Sequence, residues 1–247
     1  MKVMPLGRQD AFPREFGGAG FLIQEGEQLF LIDCPPGINL MLHQAGFTPM
    51  DLTAIFITHL HNDHVGGLVE LTQFRTLGIH NKEIWMNAGY FEKIAQEKID
   101  IFILGNDEKW LELLDQLITL NNPRPWKEFH KVVVLEDPKF SVGGIEVETM
   151  AGVHEPNSCG VKFDHRVSFS GDTMYDDDFE DWLFHETQLI FHEAGYGGAH
   201  CHPEDLPKII ERTNHDQTLF FNHLPFPVIP WMEQMRYPMV EKIWYEV

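Results

Sequence analysis

The sequence predicts an α/β protein, and three observations carry that prediction. Short apolar runs rich in Val, Ile and Phe recur along the chain, each bounded by Gly, Pro, Asn, Asp or charged residues, as buried strands are. Between them lie segments with apolar residues three and four apart, the spacing of covering helices. The chain has 247 residues, 43% of them hydrophobic and 19 of them Phe, enough for a large core built on aromatic packing.

The elements follow in order. Phe21-Leu22-Ile23-Gln24 and Gln28 to Asp33 are apolar runs separated by Glu25-Gly26-Glu27, which predicts a hairpin. Pro35-Pro36-Gly37 breaks the chain, and Ile38 to Gln44 then reads as a short helix ending at Gly46. Ala54 to Thr58 is a buried strand, and Gly66-Gly67 opens a helically spaced segment. Residues 84–86 suggest another strand. From about Tyr90 to Leu120 the pattern is helical, with Phe91, Ile94 and Ala95 on one set of turns and Trp110, Leu113, Leu114 and Leu117 on another; Asn121-Asn122-Pro123-Arg124-Pro125 ends it. The chain therefore reads as one domain over 1–247 with a helical insertion at about 90–128, serving as a lid, a dimer face or a plain covering layer. Strands return at 131–135, 145–149, 161–163, 166–170, 189–191 and 218–221, with a helix led by Pro203 and carrying Leu206, Ile209 and Ile210. The Asp176-Asp177-Asp178 run reads as a solvated surface.

Composition narrows the function. The net charge is -20, from 38 acids against 18 bases, which disfavours a long nucleic acid because that affinity rests on Lys and Arg neutralising phosphates. No run of 18 apolar residues predicts a membrane span. The three cysteines, Cys34, Cys159 and Cys201, are too scattered for a disulfide framework. With no export signal at the N-terminus, they predict a cytoplasmic protein.

The chemistry concentrates in Thr58-His59-Leu60-His61-Asn62-Asp63-His64, where four ligating side chains occupy six positions between a strand and a helix. Imidazole and carboxylate together suit zinc and related divalent metals. Four groups so close cannot all hold one ion without strain, so a second ion and further ligands are expected. His154, Asp172 and His223 are each the first strong ligand after a predicted strand.

These pieces, in this order, resemble the metallo-β-lactamase superfamily from about residue 3 to residue 225. The resemblance implies an αββα four-layer sandwich, two mixed β-sheets with helices outside. It implies one metal held by His59, His61 and His154, a second held by Asp63, His64 and His223, and Asp172 bridging them. Asp33 would orient a ligand His by hydrogen bonding, or is an ordinary turn Asp. A metal-bridging hydroxide would then be the nucleophile, with Asp63 beside it in the catalytic centre. Zinc is the expected metal, with manganese or iron as alternatives.

Within the superfamily, Leu189-Ile190-Phe191-His192-Glu193-Ala194 is similar to the His-Glu-Ala-Thr box of the ribonuclease Z and phosphodiesterase branch. That likeness implies that His192 protonates the leaving oxygen. His200 and His202, in Ala-His-Cys-His, resemble the segment that follows the box and are candidate substrate contacts. Gly195 departs from the box's Thr, Cys201 from a Ser, and Pro35-Pro36 from the usual Gly; the 90–128 segment lacks a Gly-rich basic arm for gripping tRNA. The expected enzyme is a di-metal phosphodiesterase acting on a small phosphodiester or nucleotide, with a homodimer as a candidate assembly. The alternatives are a lactonase or thioesterase using the same metals, and a non-catalytic metal-binding scaffold. A redox di-iron protein is disfavoured by His61, where Glu is usual.

Overall fold

A computed structural model describes residues 1–13, 17–94, 96–122, 126–195, 197–224 and 242–247. The strands are numbered in chain order. The first sheet holds β1 (Lys2–Gly7), β2 (Gly20–Glu25), β3 (Gln28–Ile32), β4 (Ala54–Ile57), β5 (Ile99–Ile103), β6 (His130–Val134) and β13 (Tyr245–Glu246), in the order β13-β1-β2-β3-β4-β5-β6. The second holds β7 (Lys139–Val142), β8 (Ile145–Ala151), β9 (Cys159–Phe163), β10 (Val167–Phe169), β11 (Leu189–Glu193) and β12 (Thr218–Asn222), in the order β12-β11-β10-β9-β8-β7. Both sheets are mixed. β1 to β3 and β7 to β10 pair antiparallel, whereas β3 to β6 and β10 to β12 pair parallel.

Parallel neighbours need crossovers, and helices supply them. They are α1 (Ile38–Gln44), α2 (Asn62–Val65), α3 (Leu68–His80), α4 (Lys82–Asn87), α5 (Glu108–Asn121), α6 (Asp177–Phe184) and α7 (Leu206–Arg212). Because strand side chains alternate, each sheet buries two faces. Leu31, Ile55, Ile57 and Ile101 pack with Leu42, Leu71 and Ile118 of the helices over the first sheet. Ile190, Leu219 and Phe221 pack with Phe179, Leu183, Leu206 and Ile209 over the second. Between the sheets lies an aromatic layer: Phe56 stacks on Phe102 at 5.0 Å and meets Phe163 edge-on at 5.1 Å, and Phe169 stacks on Phe191 at 5.1 Å. The αββα sandwich expected from the resemblance is the observed architecture.

The hairpin and α1 lie where the sequence places them. Other elements differ. Residues 84–86 belong to α4 rather than a strand; α4 has no buried residue, and Trp85 packs on Phe74 at 5.2 Å and Tyr90 at 5.4 Å. The 90–128 segment is not a helical insertion throughout, because β5 runs through it and pairs in parallel with β4 and β6. The run Ile99-Asp100-Ile101-Phe102-Ile103 has the β-branched and aromatic content of a buried strand, and pairing on both edges decides it. Within the 90–128 segment α5 and a short 3-10 turn at Trp126–Glu128 keep the helical character; α5 is N-capped by Asp107, whose carboxylate accepts from the backbone N–H of Lys109 and Trp110. Ala95 and Pro123-Arg124-Pro125 lie outside the described residues. The Asp176-Asp177-Asp178 run opens α6: Asp176 caps the Phe179 N–H at 2.9 Å, and the acids following it suit the helix dipole. Among the described residues no helix is long and apolar enough to cross a membrane.

One buried titratable group makes stability depend on pH. His130 opens β6 with 1% of its surface exposed. Burial, and then the Arg75 guanidinium, push its pKa down to about 3. An unfolded His titrates near 6.5. Between those values the unfolded chain takes up a proton that the folded chain refuses, so acidification destabilises the fold. His130→Phe removes this uptake. Urea unfolding at a series of pH values from about 7 to about 4 should show a smaller loss of stability in the variant, and parallel curves for the two proteins would refute the assignment.

Candidate metal centre

The site forms where strand ends from both sheets meet. His59, His61, Asp63 and His64 follow β4; Asp172 follows β10; His223 follows β12; His154 comes from the loop after β8. Parallel strands deliver their C-terminal ends to one edge, so residues distant in sequence arrive together.

Asp33 is the anchor beneath the cluster. It leaves β3 in the left-handed region, at φ 56°. One carboxylate oxygen accepts the Thr58 N–H at 2.8 Å, and the Thr58 hydroxyl reaches the other at 2.9 Å. That second oxygen also lies 2.8 Å from His64 Nδ1. This bond places the His64 proton on Nδ1 and leaves the Nε2 lone pair free. Nε2 is buried without a hydrogen-bond partner, 3.3 Å from Asp172 and 3.6 Å from Asp63. His154 is set in the same way: its Nδ1 donates to the Ala199 carbonyl at 2.7 Å, which frees Nε2.

The nitrogens converge. His61 Nδ1 lies 3.2 Å from His59 Nε2 and 3.2 Å from His154 Nε2. A tetrahedral ion with nitrogen ligands at ~2.0–2.1 Å would space neighbouring donors by roughly 3.3 Å. Among the described residues, a set of Asp172, Glu193, His200 and His223 forms beside the two that hold the expected ligands, His59, His61, His154 and Asp172 in one and Asp63, His64, Asp172 and His223 in the other, each with its donor atoms within 4.8 Å of one another. Asp172 belongs to all three. It is 1% exposed and neither of its oxygens has a hydrogen-bond partner, a costly state for a buried carboxylate. The donor set, its shared carboxylate and its orphaned lone pairs fit two divalent ions.

The protonation pattern agrees with a cation-seeking site. Burial holds the His59 pKa well below its ordinary value, so the ring is neutral and able to ligate. Burial also opposes a charge on His64, but Asp172 and Asp33 outweigh it and raise its pKa well above 6.5. A metal would replace that proton.

The structure separates the remaining candidates. His192 does not reach the cluster. It is fully buried, its Nδ1 donates to the Glu193 carbonyl at 2.7 Å, and its Nε2 meets the Glu180 carboxylate at 2.9 Å. Strand alternation is the reason: Phe191 and Glu193 share the inner face of β11, whereas Ile190 and His192 turn towards α6. His202 is exposed, in the turn before α7, and belongs to none of the donor sets. His200 is in the site. Its Nδ1 lies 3.3 Å from Glu193 and 3.6 Å from Asp172, and its ring stacks on His223 at 5.2 Å.

Glu193 is the site residue that the sequence reading passed over. Its carboxylate accepts the backbone N–H of Thr173 at 2.9 Å, Cys201 at 2.9 Å and Gly195 at 2.8 Å, tying three loops together beside Asp172. Period-two alternation from the inward-facing Phe191 is the signal that points to it.

The departures from the box acquire physical reasons. A Cβ on Gly195 would stand 2.8 Å from Glu193 Oε2 and 2.8 Å from His200 Cγ. Glycine is therefore what lets His200 close onto Glu193. Pro35 is matched by the Gly17-Gly18-Ala19-Gly20 run, since a Cβ on Gly18 would stand 2.7 Å from Pro35 Cβ.

The family model described as Anti-Pycsar protein Apyc1 matches residues 1–223. The chain belongs to the Anti-Pycsar protein Apyc1 family. An Apyc1 protein of Bacillus phage vB_BveM-Goe7 is 26% identical over 220 residues, covering 83% of this chain and 81% of the relative. An Apyc1 protein of Paenibacillus sp. (strain J14) is 37% identical over 84 residues, a match that spans only 34% of either chain. In fold, the chain is similar to the metallo-β-lactamase fold protein YhfI from Bacillus subtilis, with TM-score 0.74, 18% identity, and 94% and 90% of the two chains covered. It is also similar to the short form of human tRNase Z, with TM-score 0.70, 19% identity, and 100% and 99% covered. The chain has the metallo-β-lactamase fold of these structures and is a hydrolase.

Gly195→Thr, which restores the branch's usual residue, should push the His200 ring off Glu193. A crystal structure of the variant checks this, with the Nδ1 to Oε1 distance lengthening beyond its present 3.3 Å. An unmoved ring would show that the pocket has slack.

Proposed function

We propose that this chain is a di-metal phosphodiesterase acting on a small nucleotide phosphodiester, a cyclic nucleotide being the type case. The observation that carries the reading is Asp172, shared by two donor sets with His200 held against it by Glu193. His59, His61 and His154 would hold one ion, Asp63, His64 and His223 the other, and Asp172 both, with Asp33 keeping His64 in its ligating tautomer. Bound there, divalent ions would supply an activated water and stabilise charge developing on the phosphoryl oxygens. Zinc fits the nitrogen-rich set, and manganese or iron would be accepted by the same groups.

The chain's own residues would do the rest. Burial disfavours a charge on His200, but the Glu193 carboxylate wins and raises its pKa. His200 is therefore equipped to carry a proton to the leaving oxygen, the task the sequence reading gave to His192. Alkoxide leaving groups of phosphodiesters need that proton. A lactonase or thioesterase on the same metals needs it less. The net charge of -20 supports a small substrate over a polyanion.

The test is a panel of a 3′,5′-cyclic nucleotide, bis(p-nitrophenyl) phosphate, a lactone and a thioester, with metal content measured alongside. Asp63→Asn or His64→Ala should abolish turnover with the circular dichroism spectrum retained. His200→Ala should slow the cyclic nucleotide by roughly 10²–10⁴-fold, and the p-nitrophenyl ester, whose leaving group needs no proton, far less. Preferred turnover of the lactone or thioester would replace this reading, and metal binding without any hydrolysis would favour the scaffold.

The same reading extends to assembly. On α5, Leu113, Leu117 and Leu120 are exposed at spacings of four and three, while Leu114 and Ile118 on the same helix are buried. Two copies of such a stripe can interleave as an antiparallel helix pair, which supports a homodimer. Light scattering should give a dimer mass for the wild type and a monomer mass for Leu117→Lys; a monomeric wild type at tens of micromolar would overturn it.

A further inference from the structure

We propose that Trp110 is the platform on which the nucleobase of the substrate stacks; the proposal rests on the phosphodiesterase reading. Trp110 is the third residue from the N-cap of α5, where the Asp107 carboxylate accepts its backbone N–H and fixes the start of the helix. Its ring lies edge-to-face on His61, with centroids 5.8 Å apart. His61 in turn meets His59 and His154 at 5.0 Å each. The indole is thus one ring removed from the point where the donor nitrogens converge. It is 38% exposed, so part of a large aromatic surface is open to solvent at the mouth of the site.

Exposed apolar residues also flank the donor groups in the chain. Val153, the residue before His154, is 45% exposed, and Met174, two residues after Asp172, is 38% exposed. The Met174 N–H donates to the Val153 carbonyl at 3.0 Å, which holds these two residues side by side. Exposed large hydrophobic side chains therefore flank three groups of the cluster in the chain or in space. An apolar rim around a polar centre is the chemistry of a ligand with a charged end and a flat, uncharged end.

Charge argues in the same direction. Both sets of expected ligands consist of His and Asp alone. In a chain of net charge -20, a nucleotide gains little from long-range attraction. Once the phosphodiester is engaged at the centre, the base must be recognised by contacts that carry no charge. Stacking on an aromatic ring is such a contact, and it tolerates any base because every base has a π-face. Indole offers the largest such face among the side chains.

The experiment compares two substrates: a 3′,5′-cyclic nucleotide, and the 3′,5′-cyclic phosphate of methyl riboside, which has the same phosphodiester and no base. Trp110→Ala should lower the preference for the nucleotide over the base-less compound by roughly 5- to 100-fold, with the loss in KM rather than kcat. Trp110→Phe should restore most of it. Equal losses on both substrates would overturn the proposal, since Trp110 would then only buttress His61. No loss on either would overturn it too. Binding supplies a readout independent of turnover. A nucleoside monophosphate should quench the intrinsic fluorescence of the wild type, and Trp110→Phe should remove that quench. If the wild type hydrolyses neither compound, the phosphodiesterase reading fails, and the quench alone decides Trp110: its persistence in Trp110→Phe would overturn the platform.

Discussion

Asp172 is a carboxylate walled in by protein with neither oxygen hydrogen-bonded, and the rest of the site is arranged around that fact. An isolated buried carboxylate would pay a large desolvation cost or take up a proton. Here the desolvation cost is offset by its neighbours and the carboxyl stays ionised. His223, His64 and His59 surround it and, against the effect of burial, hold its pKa well below the usual carboxylate range. Without a metal, protons on His64 and His223 offset its charge; a divalent ion bound there would replace them. The fold tolerates the arrangement because large apolar cores on both sides of each sheet hold the strand ends rigid.

The frame begins with Asp33. Its carboxylate spans Thr58 and His64, linking the end of β3 to the residues that follow β4. The lone pair on His64 Nε2 is aimed by a bond made on the far side of the ring, the usual way a protein chooses a histidine tautomer. Glu193 does the corresponding work in the second sheet, where its oxygens gather the backbone around Thr173, Gly195 and Cys201 and hold His200 beside Asp172. The two sheets thus each contribute one buried carboxylate whose task is orientation. Gly195 belongs to the same device, since any Cβ there would occupy the space His200 needs.

Much of this was legible in the chain itself. The His59 to His64 run, followed by His154, Asp172 and His223 at successive strand ends, pointed to a two-ion centre, and the structure brings all seven side chains together. The hairpin and α1 were plain because a Gly turn and a Pro-Pro-Gly break mark them. Residues 99–103 were harder. A five-residue apolar run inside a long helical pattern becomes a strand only when partners exist on both edges, and those partners are β4 and β6, distant in sequence.

By itself, then, the sequence determined the ligand types, their order and the alternation that makes an α/β sandwich. Those depend on local spacing and side-chain chemistry. Tertiary structure alone decided which of His192 and Glu193 faces the centre, although they are adjacent. Neighbouring residues on a strand point to opposite faces, and the packing of Phe191 against Phe169 and of Ile190 against the helices settles which face is inner. It also brought Trp110 of α5 to the rim beside His61, a contact across 49 positions of chain that no local pattern encodes.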